Sequence, residues 1–128
     1  MKTRSQNQLT SDPTAPDPPL TSAQFHILLT LAEGELHGYG IMQEILRRTG
    51  GAVELGPGTL YRSIKQLLGR RLITEVSPGA TAEADTEGRR RSYALTPEGK
   101  ARTAEEARRL QDLVRWAEEA LVLEGGRP

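Results

Sequence analysis

Residues Leu55–Ile73, LGPGTLYRSIKQLLGRRLI, indicate the architecture of the chain, because one short helix among them has two faces of opposite chemistry. With successive side chains about 100° apart around a helix, one stripe is apolar and consists of Leu60, Ile64, Leu67 and Leu68. The side chains that point away from this stripe are Thr59, Arg62, Lys65 and Gln66. No Asp or Glu occurs from residue 56 to residue 74. The pattern predicts a helix with a buried apolar face and a basic outer face.

The outer face carries the residue types that a helix in the major groove of DNA uses. Arg and Lys bind phosphates or the guanine edge, Gln can read adenine, and Thr contacts phosphate or the thymine methyl group. The alternative is an ordinary solvated helix face, which basic surface residues usually form. The sequence therefore predicts a recognition helix, with the solvated face as the competing interpretation.

Two further helices are predicted before this one. The first starts at an N-cap, Thr21 or Ser22, and ends near Glu33-Gly34. Its apolar face consists of Phe25, Leu28, Leu29 and Ala32, widened by Ile27 and Leu31. The second opens at Gly38, carries a core stripe of Ile41, Met42, Ile45 and Leu46, and stops at Gly50-Gly51. The linker GGAVELGPG lacks the Lys of a nucleotide-binding loop, since Pro57 stands in its place, so it is a turn. Two helices joined by a glycine-bearing turn, the second basic outside, indicate a helix-turn-helix.

A β-hairpin, or wing, is predicted after the recognition helix. Residues 72–76 and 91–95 alternate well enough for two strands, and the segment between them is polar and acidic. Arg89, Arg90 and Arg91 at the base of the wing could grip phosphate or enter a narrow minor groove. The alternative is that these arginines only neutralise the acidic loop beside them.

A long C-terminal helix is predicted from Thr96-Pro97-Glu98, which combines a capping side chain, a proline and an acid in the first turn. It would run to about Glu124. Its apolar stripe needs a partner, and a second copy of the chain is the simplest one. The residues expected to pair are Leu110, Leu113, Val114, Ala117 and Leu121. The alternative is that the helix folds back on its own domain.

Composition limits the remaining possibilities. A chain of 128 residues suits one domain. We divide it into a disordered tail (1–20), a winged helix-turn-helix (21–96), a dimerisation helix (97–124) and a disordered end (125–128). Because the chain has no cysteine, no long apolar stretch and no secretory segment, we expect a cytoplasmic protein without a membrane partner. His26 and His37 lack acidic or sulfur neighbours at ligand spacing, so no metal or other cofactor is expected. No catalytic constellation is present, and no enzymatic activity is expected.

Three pieces of the chain, in order, resemble the PadR family of bacterial transcriptional regulators. They are His37-Gly38-Tyr39, Gly58-Thr59-Leu60-Tyr61 and residues 93–99, YALTPEG, and the resemblance covers about residues 22–124. It implies that Tyr39 lies close to the DNA backbone, whereas the residue alone is equally compatible with a Tyr packed between helices. The sequence departs from the family just before Leu72-Ile73, where Arg71 stands in place of the usual glycine, so the end of the recognition helix is left open.

The resemblance also suggests a ligand. Some PadR-like regulators hold planar effectors between subunits near the last helix, and Trp116, the only tryptophan, lies about 60° around that helix from Leu113. Aromatic faces bind flat apolar compounds, although a Trp that is simply packed in the interface is the alternative.

Taken together, the sequence predicts a mainly α fold with a small β-hairpin (α+β): a winged helix-turn-helix followed by a long dimerisation helix. We expect a homodimeric repressor that binds double-stranded DNA at an inverted repeat and is released by a small planar effector. The alternative is a winged helix that binds another protein, which zero net charge would favour. The expected DNA-binding residues are Tyr39, Gly58, Thr59, Tyr61, Arg62, Lys65, Gln66, Arg89, Arg90 and Arg91.

Overall fold

Four helices and three short strands make up the part of the chain that the computed structural model describes, residues 18–76 and 91–121. In chain order they are α1 (Ser22–Leu31), β1 (Leu36–His37), α2 (Gly38–Arg48), α3 (Pro57–Gly69), β2 (Ile73–Val76), β3 (Ser92–Leu95) and α4 (Pro97–Leu121). The predicted mainly α winged helix with a long final helix is confirmed. Arg89, Arg90, the expected end of α4 near Glu124 and most of the two predicted tails lie outside the described residues.

Helix α1 begins with a reciprocal cap. The Thr21 hydroxyl accepts a hydrogen bond from the backbone N–H of Gln24 at 3.0 Å, and the Gln24 side-chain oxygen accepts one from the N–H of Thr21 at 3.0 Å. This capping box satisfies two helix-end donors at once. The predicted tail ran to residue 20, but Leu20 is buried in the core, so this boundary was placed too late.

Helices α2 and α3 end in the same Schellman motif with different residues at the critical position. In α2 the N–H of Gly50 bonds to the carbonyl of Arg47 at 3.1 Å, and Gly50 has a φ of 62°. In α3 the N–H of Arg71 bonds to the carbonyl of Leu68 at 3.0 Å, and Arg71 also has a φ of 62°. Arg71 therefore adopts the left-handed conformation that glycine usually takes at a helix end. The helix end that the sequence left open is settled: α3 stops at Gly69.

The sheet has one strand more than the sequence predicted. Strands β2 and β3 pair antiparallel, with Ile73 opposite Leu95 and Val76 opposite Ser92, as expected of the wing. Strand β1 pairs with the other edge of β3, where Leu36 lies opposite Tyr93, so the order is β1-β3-β2. A two-residue strand is too short to show an alternating pattern, which is why β1 was missed.

The core lies where α1, α2 and α3 meet the sheet. Its fully buried side chains are Ile27, Leu28, Ile41, Ile45, Leu60, Leu67 and Ile73. Two leucines predicted for the core, Leu29 and Leu46, are 43% and 37% exposed. The buried face of α1 includes the predicted Ile27, Leu28 and Leu31 together with Gln24, and it turns Leu29 and Ala32 outward.

Helix α4 starts against the core through a close backbone contact. The Thr96 hydroxyl caps it by accepting the N–H of Gly99 at 2.9 Å, and it donates to the carbonyl of Arg71 at 2.8 Å. A Cβ atom added to Gly99 would lie 1.9 Å from the carbonyl oxygen of Leu72. Only glycine allows this approach.

Candidate nucleic-acid interface

The outward face of α3 presents two uncompensated cations. Arg62 and Lys65 are exposed, and neither has a hydrogen-bond or ion-pair partner among residues 18–76 and 91–121. Gly58 and Gly69 share this face at helical spacing, and no other atom lies within 4 Å of where their Cβ atoms would be. The face is therefore open, positively charged and bare at both ends, so a second molecule can approach the helix closely.

Tyr61 lies at one edge of this face and packs over the start of α2. A Cβ atom added to Gly38 would lie 2.5 Å from the hydroxyl oxygen of Tyr61. The glycine at position 38 therefore makes room for the Tyr61 ring, and a larger residue there would require Tyr61 to move. Tyr39 is 56% exposed, so the alternative of a Tyr packed between helices is wrong.

Gln66 lies at the opposite edge and is held by α1. Its side-chain oxygen accepts a hydrogen bond from the Gln24 amide nitrogen at 3.1 Å. One turn on, Arg70 donates to the Gln24 oxygen at 3.3 Å and to the carbonyl of Pro18 at 2.7 Å. Periodicity gave no indication of these contacts, because they join residues more than 40 positions apart in the chain. Thr59, also predicted to face outward, is only half-exposed.

The wing contributes one described cation, Arg91. Its Nε atom lies 3.5 Å from a carboxylate oxygen of Glu75, and both side chains are exposed. The carboxylate that partly compensates Arg91 is therefore on strand β2. A solvent-exposed pair of this kind contributes little energy, so Arg91 remains available to a phosphate.

The two arginines at the end of α2, Arg47 and Arg48, are paired with carboxylates. Arg47 lies 2.6 Å from a Glu44 oxygen, and Arg48 bonds to Glu44 at 3.2 Å and to Glu33. The hydrogen bond from Arg47 is the main cause that lowers the pKa of Glu44. These arginines close α2 at its negative end and do not add to the basic face of α3.

The far half of α4 exposes an apolar surface. Every residue from 111 to 121 is exposed, including Leu113 at 40%, Val114 at 57% and Leu121 at 66%. These side chains are not buried against the rest of the described chain, so this far half of α4 does not fold back on its own domain. A cleft of about 470 Å³ opens where α4 leaves α1, lined by Phe25, Ala107, Leu110, Gln111, Val114, Arg115 and Glu118. Trp116 is 66% exposed and does not line this cleft.

Neither a metal site nor a membrane span is found in the parts of the chain that the structure describes. No three His, Cys, Asp or Glu side chains in these ranges come together as ligands would. None of the described helices is both long enough and apolar enough to cross a bilayer.

Similarity to known proteins agrees with this geometry. The family model of the transcriptional regulator PadR-like family matches residues 27–105. A transcriptional regulator of Mycobacterium tuberculosis is 33% identical over 94 residues, which cover 73% of this chain and 80% of that protein. An uncharacterised 37.1 kDa protein from a transposon of Streptomyces fradiae is 35% identical over 85 residues, 66% of this chain, although the match spans only 22% of that longer protein.

Solved structures show the same fold. A PadR family transcription regulator from Clostridium difficile superposes with a TM-score of 0.66 at 24% identity, covering 79% of this chain and 99% of that one. A transcriptional regulator from Clostridium thermocellum gives a TM-score of 0.63 at 24% identity, covering 75% and 89%. With the family model matched over most of the winged helix, the chain belongs to the PadR-like family of transcriptional regulators, which bind DNA.

Proposed function

We propose that this protein is a homodimeric repressor that binds a specific double-stranded operator through α3 and leaves it when a small planar effector binds. The observation that carries the proposal is the pair Arg62 and Lys65, which stand without a carboxylate partner among the described residues on an open helix face. Each could donate to phosphate or to the guanine edge, and the glycines flanking them allow the backbone to approach the groove.

The wing supplies contacts that do not depend on sequence. Arg91 lies at the base of β3, and Arg89 and Arg90 precede it in the chain. Three neighbouring guanidinium groups would bind phosphate oxygens beside the groove that α3 enters. Tyr39 is exposed at the start of α2 and would contact the DNA backbone.

Pairing through the far half of α4 would complete the operator-binding unit. The exposed stripe of Leu113, Val114 and Leu121 becomes buried if a second copy packs against it, and the cleft beside Phe25 would receive part of that copy. A two-fold pair would set the two α3 helices about one DNA turn apart, roughly 34 Å, so the operator would be an inverted repeat.

The effector would bind near this same interface. Trp116 presents an exposed aromatic surface of the kind to which flat apolar compounds bind. A bound effector should quench Trp116 fluorescence and weaken operator binding together, since linkage between two sites is reciprocal. Quenching without any loss of operator affinity would assign Trp116 a structural role instead.

The direct test measures binding of the full chain to the DNA upstream of its own gene at several salt concentrations. If Arg62 contacts a base, Arg62→Ala should cost about 1–3 kcal/mol of specific binding while the fold is retained. The matched control is Arg47→Ala, an arginine of the same domain that Glu44 already compensates. Unchanged operator affinity in Arg62→Ala, or wild-type binding that does not weaken as salt rises, would contradict the assignment and favour a protein-binding winged helix.

A further inference from the structure

A buried glutamine connects the cap of α1 to the outer face of α3. Gln24 is only 4% exposed, although its amide is strongly polar. Its oxygen accepts from the N–H of Thr21 at 3.0 Å and from Arg70 at 3.3 Å, and its nitrogen donates to the side-chain oxygen of Gln66 at 3.1 Å. Each end of the Gln24 amide is therefore engaged by a partner of the correct polarity.

The orientation of the Gln24 amide is fixed by two groups that can only donate hydrogen bonds. The N–H of Thr21 is a backbone donor, and a guanidinium is only a donor. Both must face the Gln24 oxygen, so the Gln24 nitrogen must face Gln66. A nitrogen donor in that position requires Gln66 to turn its oxygen inward, and this leaves the Gln66 NH₂ group on the outer side.

We propose that Gln24 is a positioning residue that sets which half of the Gln66 amide the operator meets. Gln66 then offers the groove a donor, which selects a base edge bearing an acceptor, such as O6 of guanine, over cytosine, whose major-groove edge offers a donor. This inference rests on the proposed function and replaces the simple expectation that Gln66 reads adenine. The adenine contact needs both ends of the amide free, and here one end is bound to α1.

One substitution separates this role from a merely structural one. In Gln24→Glu, one carboxylate oxygen keeps the bonds from Thr21 and Arg70, and Glu is an ordinary partner in a capping box. The second oxygen replaces a nitrogen donor with an acceptor, so Gln66 should turn its NH₂ inward and present its oxygen to the groove. The fold is kept, and only the polarity at Gln66 is inverted.

The experiment measures binding of the full chain to operator variants that carry each of the four base pairs at every position. At one position per half-site, Gln24→Glu should shift the preference from an acceptor-bearing base such as guanine toward cytosine by about tenfold, the value of one hydrogen bond made or lost. Positions read by Arg62 should keep their preference. In a Gln66→Ala background the same Gln24 substitution should change nothing, because the side chain it orients is gone.

The outcomes distinguish the two proposals. If wild type binds its operator and Gln24→Glu shows the same preference at every position, the positioning role is overturned while the proposed function stands. If wild type shows no specific binding, the proposed function fails first. Should Gln24→Glu not fold, Gln24→Ala frees the Gln66 amide to rotate, and discrimination retained at that position would overturn the role equally.

Discussion

The two halves of α4 have opposite relations to the rest of the chain. In the near half, the buried residues are Gly99, Thr103 and Glu106, which are small or polar. In the far half, large apolar residues such as Leu113 and Trp116 stand in solvent. The near half is therefore held by close fit and hydrogen bonding, while the far half leaves its hydrophobic side chains exposed.

Glu106 marks the boundary between the two halves. It is 4% exposed, and Arg109 approaches both of its oxygens, at 3.1 Å and 2.5 Å. Arg102 lies 3.5 Å from one of them. The buried carboxylate thus receives charge-assisted hydrogen bonds from its own helix. The apolar stripe of the far half does not pack against the described domain.

The largest expected effect comes from breaking the close fit of the near half. In Gly99→Ala the new methyl group would meet the Leu72 carbonyl at 1.9 Å, and no side-chain rotation can relieve a clash between two backbone segments. We expect a loss of about 3 kcal/mol or more in the free energy of unfolding, measured by denaturant titration.

Gly69→Ala is the matched control for that variant, since nothing lies within 4 Å of its Cβ position near the end of α3. It should leave stability unchanged or raise it by up to about 1 kcal/mol. Equal losses in the two variants would show that the contact between α4 and Leu72 is not what holds the near half.

A charge placed on the stripe tests the far half. Leu113→Asp should weaken self-association by about a hundredfold, because a carboxylate would be buried twice in a symmetric interface, while the unfolding midpoint of the monomer stays near that of wild type. Sedimentation over a range of concentrations measures this change.

The control for the stripe is Arg108→Asp, which places the same charge about 160° around the helix from Leu110. It should leave association unaffected. Two results would show that the far half of α4 does not form a dimer interface. Either the wild-type chain sediments as a monomer at all concentrations, or the Arg108 variant dissociates as readily as the Leu113 variant.

The smallest effect is expected at Glu106, as a change in the pH dependence of folding stability. The hydrogen bond from Arg109 is the main cause that lowers the pKa of Glu106 below its usual value of 4.5. A carboxylate with a lowered folded-state pKa stabilises the fold above its unfolded pKa and loses that contribution as pH falls through the folded value.

Wild type should therefore lose stability more steeply below about pH 4.5 than Glu106→Gln does. Thermal unfolding followed from pH 7 to pH 2 measures the difference. Glu119→Gln, in the exposed half, provides the comparison, and a Glu106→Gln curve parallel to that of wild type would mean that the buried pairing does not contribute to acid stability.

Elements with a clear local pattern could be predicted from the sequence. The 3.6-residue periodicity of Leu60, Ile64 and Leu67 located α3 and its buried face. The alternation of residues 72–76 and 91–95 located the wing, whose strands are 73–76 and 92–95. The N-cap at Thr21 was also predictable, because capping depends on residues within one turn. These features share one property, which is that neighbours in the sequence determine them.

The features that were missed depend on contacts between distant residues. Nothing near Leu36 indicates that it pairs with Tyr93, and nothing near Gln66 indicates its bond to Gln24. At the candidate site, the exposure of Arg62 and Lys65 followed from the helical wheel. Whether a polar side chain on that wheel is free or engaged depends on what packs beside it, and for Gln66 and Tyr61 only the structure supplied the answer.

The left-handed Arg71 has a consequence for how this protein tolerates change. An L-residue with a side chain gives up about 1 kcal/mol in that conformation, which Gly50 avoids at the equivalent point of α2. A small domain has a stability of only about 5–15 kcal/mol, so this is a substantial part of its margin. The turn that supports α4 thus leaves some stability unrealised. Replacing Arg71 with glycine would add this stability. The domain could then tolerate destabilising mutations elsewhere, including ones that alter which DNA or ligand is bound.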